Sequence, residues 1–493
     1  MIIKPHWWFV IPIILFAVII ASLHLNADPI FGSEYESYSH IGFFATNTSP
    51  SDTWHSVADN SPQHGPLYFV TLLGWAQLVG RSVPAMRALS LLLGVLTIAW
   101  SYRLGRDVIS PQAGLFAAFF VAVSAFFIFY MHEVRMYSML PGLAALVMWG
   151  YWRVMSDEGR PSWAIWLTLY LGSVALLYTH YFGIFPLLSL GVYHLLIAHK
   201  TRRWWTLNGV MALVGVSFLP WLPVVIDGTT NRTSLEASAL RSPEVIYNFM
   251  VIFSNNFVPL FIVVAASSLL YVNVSRLRQR NILFVFMMFG VAFAAIVLLN
   301  REAALLPARR LRYVLTLWPS MALIAALGLV YLTKWRPLVS GVMLAWVVVA
   351  VLFTTSTELG RYTNRLSSDF VDWIPLHRMV AAFEANEPTD DAATPVLILN
   401  DSVRIPNRIF DFYGFQLDRP LLQLREDTLD AVDFETLPSF WLIYQSDAQL
   451  EMLSVYEDDM IAGHRLCETR LSQDAVRLDY YVDAALPCDV GGA

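Results

Sequence analysis

Five short stretches gather the residues able to do chemistry. FGSEYES supplies Glu34 and Glu36, QHGPLYF supplies His64, and HEVRMYS supplies His132, Glu133, Arg135 and Tyr137. YTHYF adds His180, and NREAALLPARRLRY adds Arg301, Arg309, Arg310, Arg312 and Tyr313. A carboxylate can take the proton of an attacking hydroxyl. Arginine offers a planar fork of donors that fits phosphate oxygens and stabilises the charge growing on a departing phosphate. The set therefore suits a reaction in which a nucleophile enters and a phosphate leaves. Solvated loop glutamates, an ordinary ion pair at Glu133 and Arg135, and hydrogen-bonded structural histidines are the bland alternatives.

These stretches are set in an apolar chain. Of 493 residues, 57% are hydrophobic and 14% charged, which excludes an ordinary soluble enzyme. With 17 Trp, 31 Phe and 21 Tyr it is neither disordered nor fibrous. Apolar runs of about 20 residues, enough to cross a bilayer, occur near 7–25, 82–104, 113–131, 137–155, 162–180, 183–199, 206–226, 250–272, 281–299, 313–332 and 337–355. The reading is a polytopic α-helical membrane protein with about eleven transmembrane helices. The first run lacks the small residue a signal peptidase wants before Ala27, so it is read as a retained anchor. The stretch from Pro66 to Gly80 is short for a crossing and is read as a helix lying on the outer face.

Positive residues fix the expected orientation. With the amino terminus cytoplasmic, Lys4, Arg103, Arg106, Arg153, Arg160, Lys200, Arg202, Arg203, Arg276, Arg278, Arg280, Lys334 and Arg336 all fall inside. The loops 26–81, 132–136, 227–249 and 300–312 then face outside, and so does the carboxy-terminal tail. Residues 1–355 carry 22 Lys/Arg against 13 Asp/Glu, whereas 356–493 carry 10 against 25. The arginines of 301–312 break the charge rule, and an outward-facing arginine cluster asks for an anionic partner.

The acidic tail alternates strand-like runs (TPVLILND, SFWLIYQ, VRLDYYVDAA) with helix-like ones (DFVDWIPLHRMVAAFEAN, DAQLEMLSVYEDDM), as a small extracytoplasmic α/β domain would. Its acids are scattered rather than set at catalytic spacing. Cys467 and Cys488, the only cysteines, form a disulfide if the tail lies outside, or remain two buried thiols. No P-loop, dinucleotide fingerprint or zinc spacing is present, and the charge balance speaks against nucleic acid. Asn47-Thr48-Ser49 and Asn231-Arg232-Thr233 are chance-level glycosylation sequons.

Carboxylates and arginines converging outside the membrane match glycosyl transfer from a lipid-phosphate sugar, a donor that brings its own hydrophobic tail. The ordered motifs SEYES, HGPLYF…LVGRSVPAMRALSLLLG, FYMHEVRMYSML, LLYTHYFGIF and RYVLTLWP resemble the GT-C superfamily of polyprenyl-phosphate-sugar glycosyltransferases. The likeness is to its dolichyl-phosphate-mannose protein mannosyltransferase-like branch, which includes the aminoarabinose transferases, and it covers about residues 1–355. It implies a transmembrane catalytic domain over 1–355, with 26–81 as its first external loop, and an extracytoplasmic domain over 356–493.

By the resemblance, Ser33-Glu34 stands where the family has Asp-Glu, making Glu34 the first candidate base and Glu36 the second, with Glu133 beside them. His64, Arg135, His180, Arg309, Arg310, Arg312 and Tyr313 are the candidate contacts to the donor phosphate. No metal ligand is assigned and no cofactor is required, though a divalent cation remains compatible. The expected partners are a dolichyl- or undecaprenyl-phosphate sugar, an extracytoplasmic protein, lipid or glycan acceptor, and membrane lipids. The expected place is the plasma or inner membrane, and inversion at the anomeric carbon is expected. The alternatives are a lipid-linked glycan flippase and a catalytically inactive relative.

Overall fold

The computed structural model describes residues 7–26, 28–30, 32–43, 48–156, 159, 161–230, 240–274, 279–303, 306, 308–363, 365–366, 368–386, 394–399, 407–424, 432–445, 463–471 and 476–488. Two compact units emerge, one of residues 1–27 and 36–365, the other of 28–35 and 366–493.

The first unit is helical. It begins with α1 (Val10–Ser22), α2 (Gly32–His40, entered from the other unit), α3 (Pro50–Asn60) and α4 (Leu67–Val79). There follow α5 (Val83–Val108), α6 (Pro111–Ala122), α7 (Ala125–Met131), α8 (Met139–Met155), α9 (Trp163–Thr179), α10 (Ile184–Leu196), α11 (Arg202–Phe218) and α12 (Leu222–Thr230). Then come α13 (Ser242–Phe253), α14 (Val258–Val274), α15 (Gln279–Ala303), α16 (Trp318–Leu332), α17 (Arg336–Thr355) and α18 (Thr357–Thr363). Serine and proline start several of them: Ser49 accepts from the Asp52 amide ahead of Pro50, and Ser110 accepts from the Ala113 amide ahead of Pro111.

Among the described residues five helices are long and apolar enough to cross a bilayer, or seven if each of two bent pairs counts as one span. The other expected crossings fall on shorter helices. Rows of exposed apolar residues, such as Trp163, Leu167 and Leu171 on α9 and Leu344, Val348 and Leu352 on α17, recur at helical spacing and face outward, as surfaces solvated by lipid do. At the centre lies α16, buried along almost its whole length from Trp318 to Leu329. It passes α14 so closely that a Cβ on Gly328 would lie 2.3 Å from the Val264 carbonyl oxygen. Such small-residue crossings let helix backbones approach where no water drives association.

Two runs expected as single crossings are broken. The run 113–131 bends by 70° between α6 and α7, and 250–272 bends by 93° between α13 and α14. The first break has no proline, whereas Pro259 stands at the second position of α14, just after the second break. The second break is made by Asn255 and Asn256 at φ 52° and 65°, the left-handed region that asparagine tolerates best among side-chain-bearing residues. The breaks repair each other. The Asn255 amide accepts from the Ala125 N–H at 3.0 Å and donates to the Val123 carbonyl at 2.9 Å, while Ser124 Oγ accepts from the Phe127 N–H and the Trp318 indole. In hydrocarbon, backbone groups released by a break need such partners.

The second unit is an α/β domain. Its sheet runs β2 (Leu421–Leu424), β1 (Val396–Leu399), β3 (Ser439–Gln445), β5 (Val476–Asp483), β4 (His464–Leu471), parallel across the first three strands and antiparallel beyond. With it go α19 (Ser368–Asn386) and α20 (Asn407–Leu417). Leu397, Leu399, Leu424, Phe440, Leu442, Tyr444 and Tyr481 form a core cluster. Cys467 and Cys488 are joined in a disulfide. Three expected strands and one helix stand where the alternation placed them; α20, β2 and β4 went unread, and the helix expected over DAQLEMLSVYEDDM lies outside the described residues.

Asn255→Ala should lower the thermal unfolding midpoint of the detergent-solubilised protein by an amount matching about 3 kcal/mol, because it strands two buried backbone groups. Asn255→Gly, which relaxes the backbone but also removes the amide, should recover little of that loss. An unchanged midpoint in both would show that the two breaks are not coupled through this side chain.

Candidate functional site

The turn between α7 and α8 carries the centre of the site. Arg135 stands there 1% exposed, its guanidinium 5.7 Å over the Phe69 ring and in reach of Glu36, Ser37 and His64. Nη1 lies 3.3 Å from Glu36 Oε2 and 3.4 Å from Ser37 Oγ, and Nη2 donates to His64 Nε2 at 2.8 Å. Ser37 Oγ in turn donates to the Val134 carbonyl at 2.7 Å. The segment that carries α2 and His64 is thus stitched to the turn at several points.

Because arginine is only a donor, its bond to His64 fixes the imidazole as neutral with the proton on Nδ1. That Nδ1 is buried and has no hydrogen-bond partner among the described residues. Burial first, then the charges of Arg135, His180, Arg312 and Arg310, hold the His64 imidazole well below its ordinary range. Arg310 and Arg312 of the 308–317 segment thus both act on this ring. Gly65 answers a steric demand. A Cβ there would sit 2.0 Å from the Tyr178 carbonyl oxygen, so the loop crosses the end of α9 at a distance that suits glycine. The Tyr181 hydroxyl fastens the crossing by donating to the Pro62 carbonyl at 2.5 Å.

His180 caps α9. Its Nδ1 accepts from the Phe182 N–H at 3.1 Å, which places its proton on Nε2, and its ring packs 4.4 Å from Tyr313 and 5.8 Å from His64. Arg312 and Tyr313 lie on the 3₁₀ helix Ala308–Leu317 that leads into α16. The Arg312 guanidinium sits 4.9 Å over the Tyr137 ring, a cation–π contact, and its Nε has no hydrogen-bond partner among the described residues. Glu133, also buried, is within electrostatic reach of both Arg135 and Arg312.

Glu36, His64, Glu133, Arg135, His180, Arg310, Arg312 and Tyr313 are therefore brought into one neighbourhood. Arg301 is not among them: it is exposed and, among the described residues, pairs with its neighbour Glu302 at 3.6 Å. The Arg309 side chain lies outside the described residues. Glu34 is buried in the first turn of α2 and belongs to the segment 28–35 of the second unit. Two residues apart on a helix means a turn of about 200°, so Glu34 and Glu36 leave α2 on opposite faces.

Tyr137, gathered in the sequence among the groups able to do chemistry, has a buried hydroxyl without a hydrogen-bond partner among the described residues. The sequence reading missed two contributors. Arg87 is fully buried within α5 and donates to the Leu25 carbonyl at 3.1 Å. Arg365 lies 5.3 Å over the Phe129 ring. Both arginines act on His132, whose ring stacks on His24 at 5.2 Å and is held well below its ordinary range, by burial first. A lone arginine inside the apolar run of α5 was a readable signal; Arg365 had none.

The sequence profile of the family described as dolichyl-phosphate-mannose-protein mannosyltransferase matches residues 63–226, which include His64, Glu133, Arg135 and His180. Among solved structures the chain is similar to ArnT from Cupriavidus metallidurans in the apo state, with 13% identity and a TM-score of 0.55 over 98% of this chain and 99% of that one. It is similar also to the same organism's ArnT bound to undecaprenyl phosphate, with 14% identity and a TM-score of 0.51 over the same shares. No curated protein matches the chain by sequence. The fold is accordingly ArnT-like, and the resemblance to the GT-C superfamily drawn from the motifs holds at the level of architecture.

The depressed histidines have a measurable consequence. Burial, with the Arg135 charge second, brings His40 down to about 4, its two ring nitrogens lying 3.0 and 2.9 Å from the Ser56 and Ser61 hydroxyls. Unfolded, it titrates near 6.5. As pH falls below that value the unfolded chain binds protons that the folded one refuses, so stability present above pH 6.5 is lost progressively toward pH 4. Thermal midpoints measured from pH 7.5 to 4.5 should fall in that window, and His40→Gln and His64→Gln should each flatten the slope. A wild-type profile that is flat or rises toward acid contradicts the assignment.

Proposed function

We propose that this chain is an integral membrane glycosyltransferase that moves a sugar from a polyprenyl phosphate to an extracytoplasmic acceptor with inversion. The observation that carries the reading is the convergence of Arg135, Arg310 and Arg312 with His64, His180 and Tyr313 around buried polar atoms, in a fold shared with a protein crystallised with undecaprenyl phosphate. A phosphate monoester bearing a long hydrocarbon chain suits such a place, since cations in a site poor in water stabilise departing phosphate far more than they would in solvent.

The proposed step is a single displacement. An acceptor hydroxyl attacks the anomeric carbon opposite the phosphate, the bond from that carbon to the phosphate oxygen breaks, and the hydroxyl proton passes to a carboxylate of α2, Glu34 or Glu36. The electron pair leaves with the polyprenyl phosphate, whose charge falls to Arg312 and Arg310. Arg135 is held by Glu36 and His64, so its part is to position His64, whose Nδ1 proton is available to a phosphate oxygen. Glu133 orients the two guanidinium groups that it faces. Arginine supplies the positive charge, so the step needs no metal. The disulfide of the tail supports an extracytoplasmic place for it, with the amino terminus cytoplasmic, because such bonds persist outside reducing compartments.

Mass spectrometry of the envelope glycans and lipids of a host lacking the gene should reveal an acceptor short of one sugar. Complementation, followed by transfer assays with that acceptor in nanodiscs, then tests the residues. Arg312→Ala should lower transfer by about 10²–10³-fold. Either Glu34→Gln or Glu36→Gln should abolish transfer while leaving lipid-phosphate binding intact. Wild-type transfer in all three variants, or an unchanged envelope in the deletion host, rules the proposal out.

A further inference from the structure

Two tyrosines flank the turn that carries Arg135. Tyr130 lies in the last turn of α7 and Tyr137 just ahead of α8, and the turn folds them together, their rings edge to face with centroids 5.2 Å apart. Both are wholly buried, and the hydroxyl of each has no hydrogen-bond partner among the described residues. Buried phenols ordinarily find one. The step proposed above makes no use of either.

The charged groups around the two hydroxyls are mostly donors. The Arg312 guanidinium lies 4.9 Å over the Tyr137 ring and bears on the Tyr130 hydroxyl as well, and Arg135 bears on Tyr137. Arginine has no acceptor and cannot take a phenol's proton. Glu133 faces both tyrosines electrostatically, yet neither hydroxyl is hydrogen-bonded to it.

Two further protons share this condition. The Arg312 Nε–H and the His64 Nδ1–H are buried without partners among the described residues, and His64, Tyr130 and Tyr137 are all within electrostatic reach of Arg312. Four buried donors from four side chains are thus grouped about one guanidinium. What would satisfy them together is an acceptor with several oxygens and a negative charge.

We infer that the Tyr130 and Tyr137 hydroxyls donate to the oxygens of the lipid phosphate as it leaves. The inference rests on the glycosyl transfer proposed above and adds two contacts to it. A sugar phosphodiester carries one negative charge on two terminal oxygens. When the bond from the anomeric carbon breaks, its electron pair stays on the former bridging oxygen, and the polyprenyl phosphate holds three terminal oxygens and about 1.5 to 2 negative charges near pH 7. A hydroxyl bonds more strongly to the more highly charged oxygen, so its contribution grows as the bond breaks, where it speeds the reaction. Tyrosine gives this without the burial of another cation. The phenol protons stay on the tyrosines throughout.

Binding of undecaprenyl phosphate, and of undecaprenol as the same chain without phosphate, to the full chain in nanodiscs provides the test. Tyr130→Phe and Tyr137→Phe keep both rings, and with the second the face on which Arg312 rests. Each should weaken the binding of undecaprenyl phosphate about tenfold, the equivalent of 1.4 kcal/mol, and leave that of undecaprenol as it was. In lipid-free detergent the thermal midpoint of each variant should equal or exceed that of the wild type, because the hydroxyl removed had no partner; a hydroxyl with a structural task would lower it. Wild-type affinity for undecaprenyl phosphate in either variant, or a lowered midpoint, overturns the inference and leaves glycosyl transfer standing. A wild type that does not prefer undecaprenyl phosphate to undecaprenol overturns both.

Discussion

One buried cation organises one end of the helical unit. Removing a guanidinium from water costs several kcal/mol unless its donors are met, and Arg135 collects Glu36, Ser37 and His64 from parts of the chain roughly seventy to a hundred residues away. The segment that carries them therefore has little freedom to fold elsewhere. The bond also sets the His64 tautomer, and with it the direction in which that ring can donate. The charge that fastens the loop helps to keep His40 and His64 neutral. Structure and electrostatics thus follow from a single group.

The consequence is a division of labour among arginines that share a neighbourhood. Arg135 is engaged within the protein, and a ligand would have to displace His64 or Glu36 to take its donors. Arg312 is held differently, by the face of the Tyr137 ring, which leaves its edge for hydrogen bonding. A guanidinium braced through its π-face, with its buried Nε unpartnered among the described residues, is suited to an anion that arrives and departs. The same argument separates Arg301, whose exposed pair with Glu302 competes with water and contributes little.

Much of this was legible in the sequence because membranes simplify the code. Apolar runs marked α5, α9, α11, α15, α16 and α17 closely, and the period-two pattern marked β1, β3 and β5. What escaped was whatever depends on a distant partner. The breaks at 123–124 and 254–257 rely on the Asn255 amide reaching the Val123 carbonyl and the Ala125 N–H, and no local pattern announces a partner about 130 residues away. The site divides along the same line. Ordered motifs placed Glu36, His64, Glu133, Arg135, His180 and Arg312 on the page, yet that Arg135 meets Glu36, 99 positions away, could not be read, since the motif shows only the glutamate two residues before it. That the Tyr137 hydroxyl is buried is likewise revealed only by its neighbours.

Helix α2 shows how far geometry can carry an assignment that motifs leave open. Two acids separated by about 200° around one nine-residue helix cannot turn toward the same small volume, so they cannot act as an interchangeable pair. Glu36 has a visible task, since its Oε2 meets Arg135 and fixes the helix against the turn after α7. A carboxylate tied in this way can still present its second oxygen, and Glu36 is half exposed. Glu34, on the far face, is buried and belongs to the segment 28–35. In the proposed reaction the roles of base and anchor are thus either divided between the two acids, with Glu34 the base, or combined in the two oxygens of Glu36. In the divided case, loss of the Glu36 charge would loosen the loop that carries α2 and weaken binding and transfer together; in the combined case, Glu36→Asp, which shortens the reach to Arg135 but keeps a carboxylate, would harm positioning more than proton transfer.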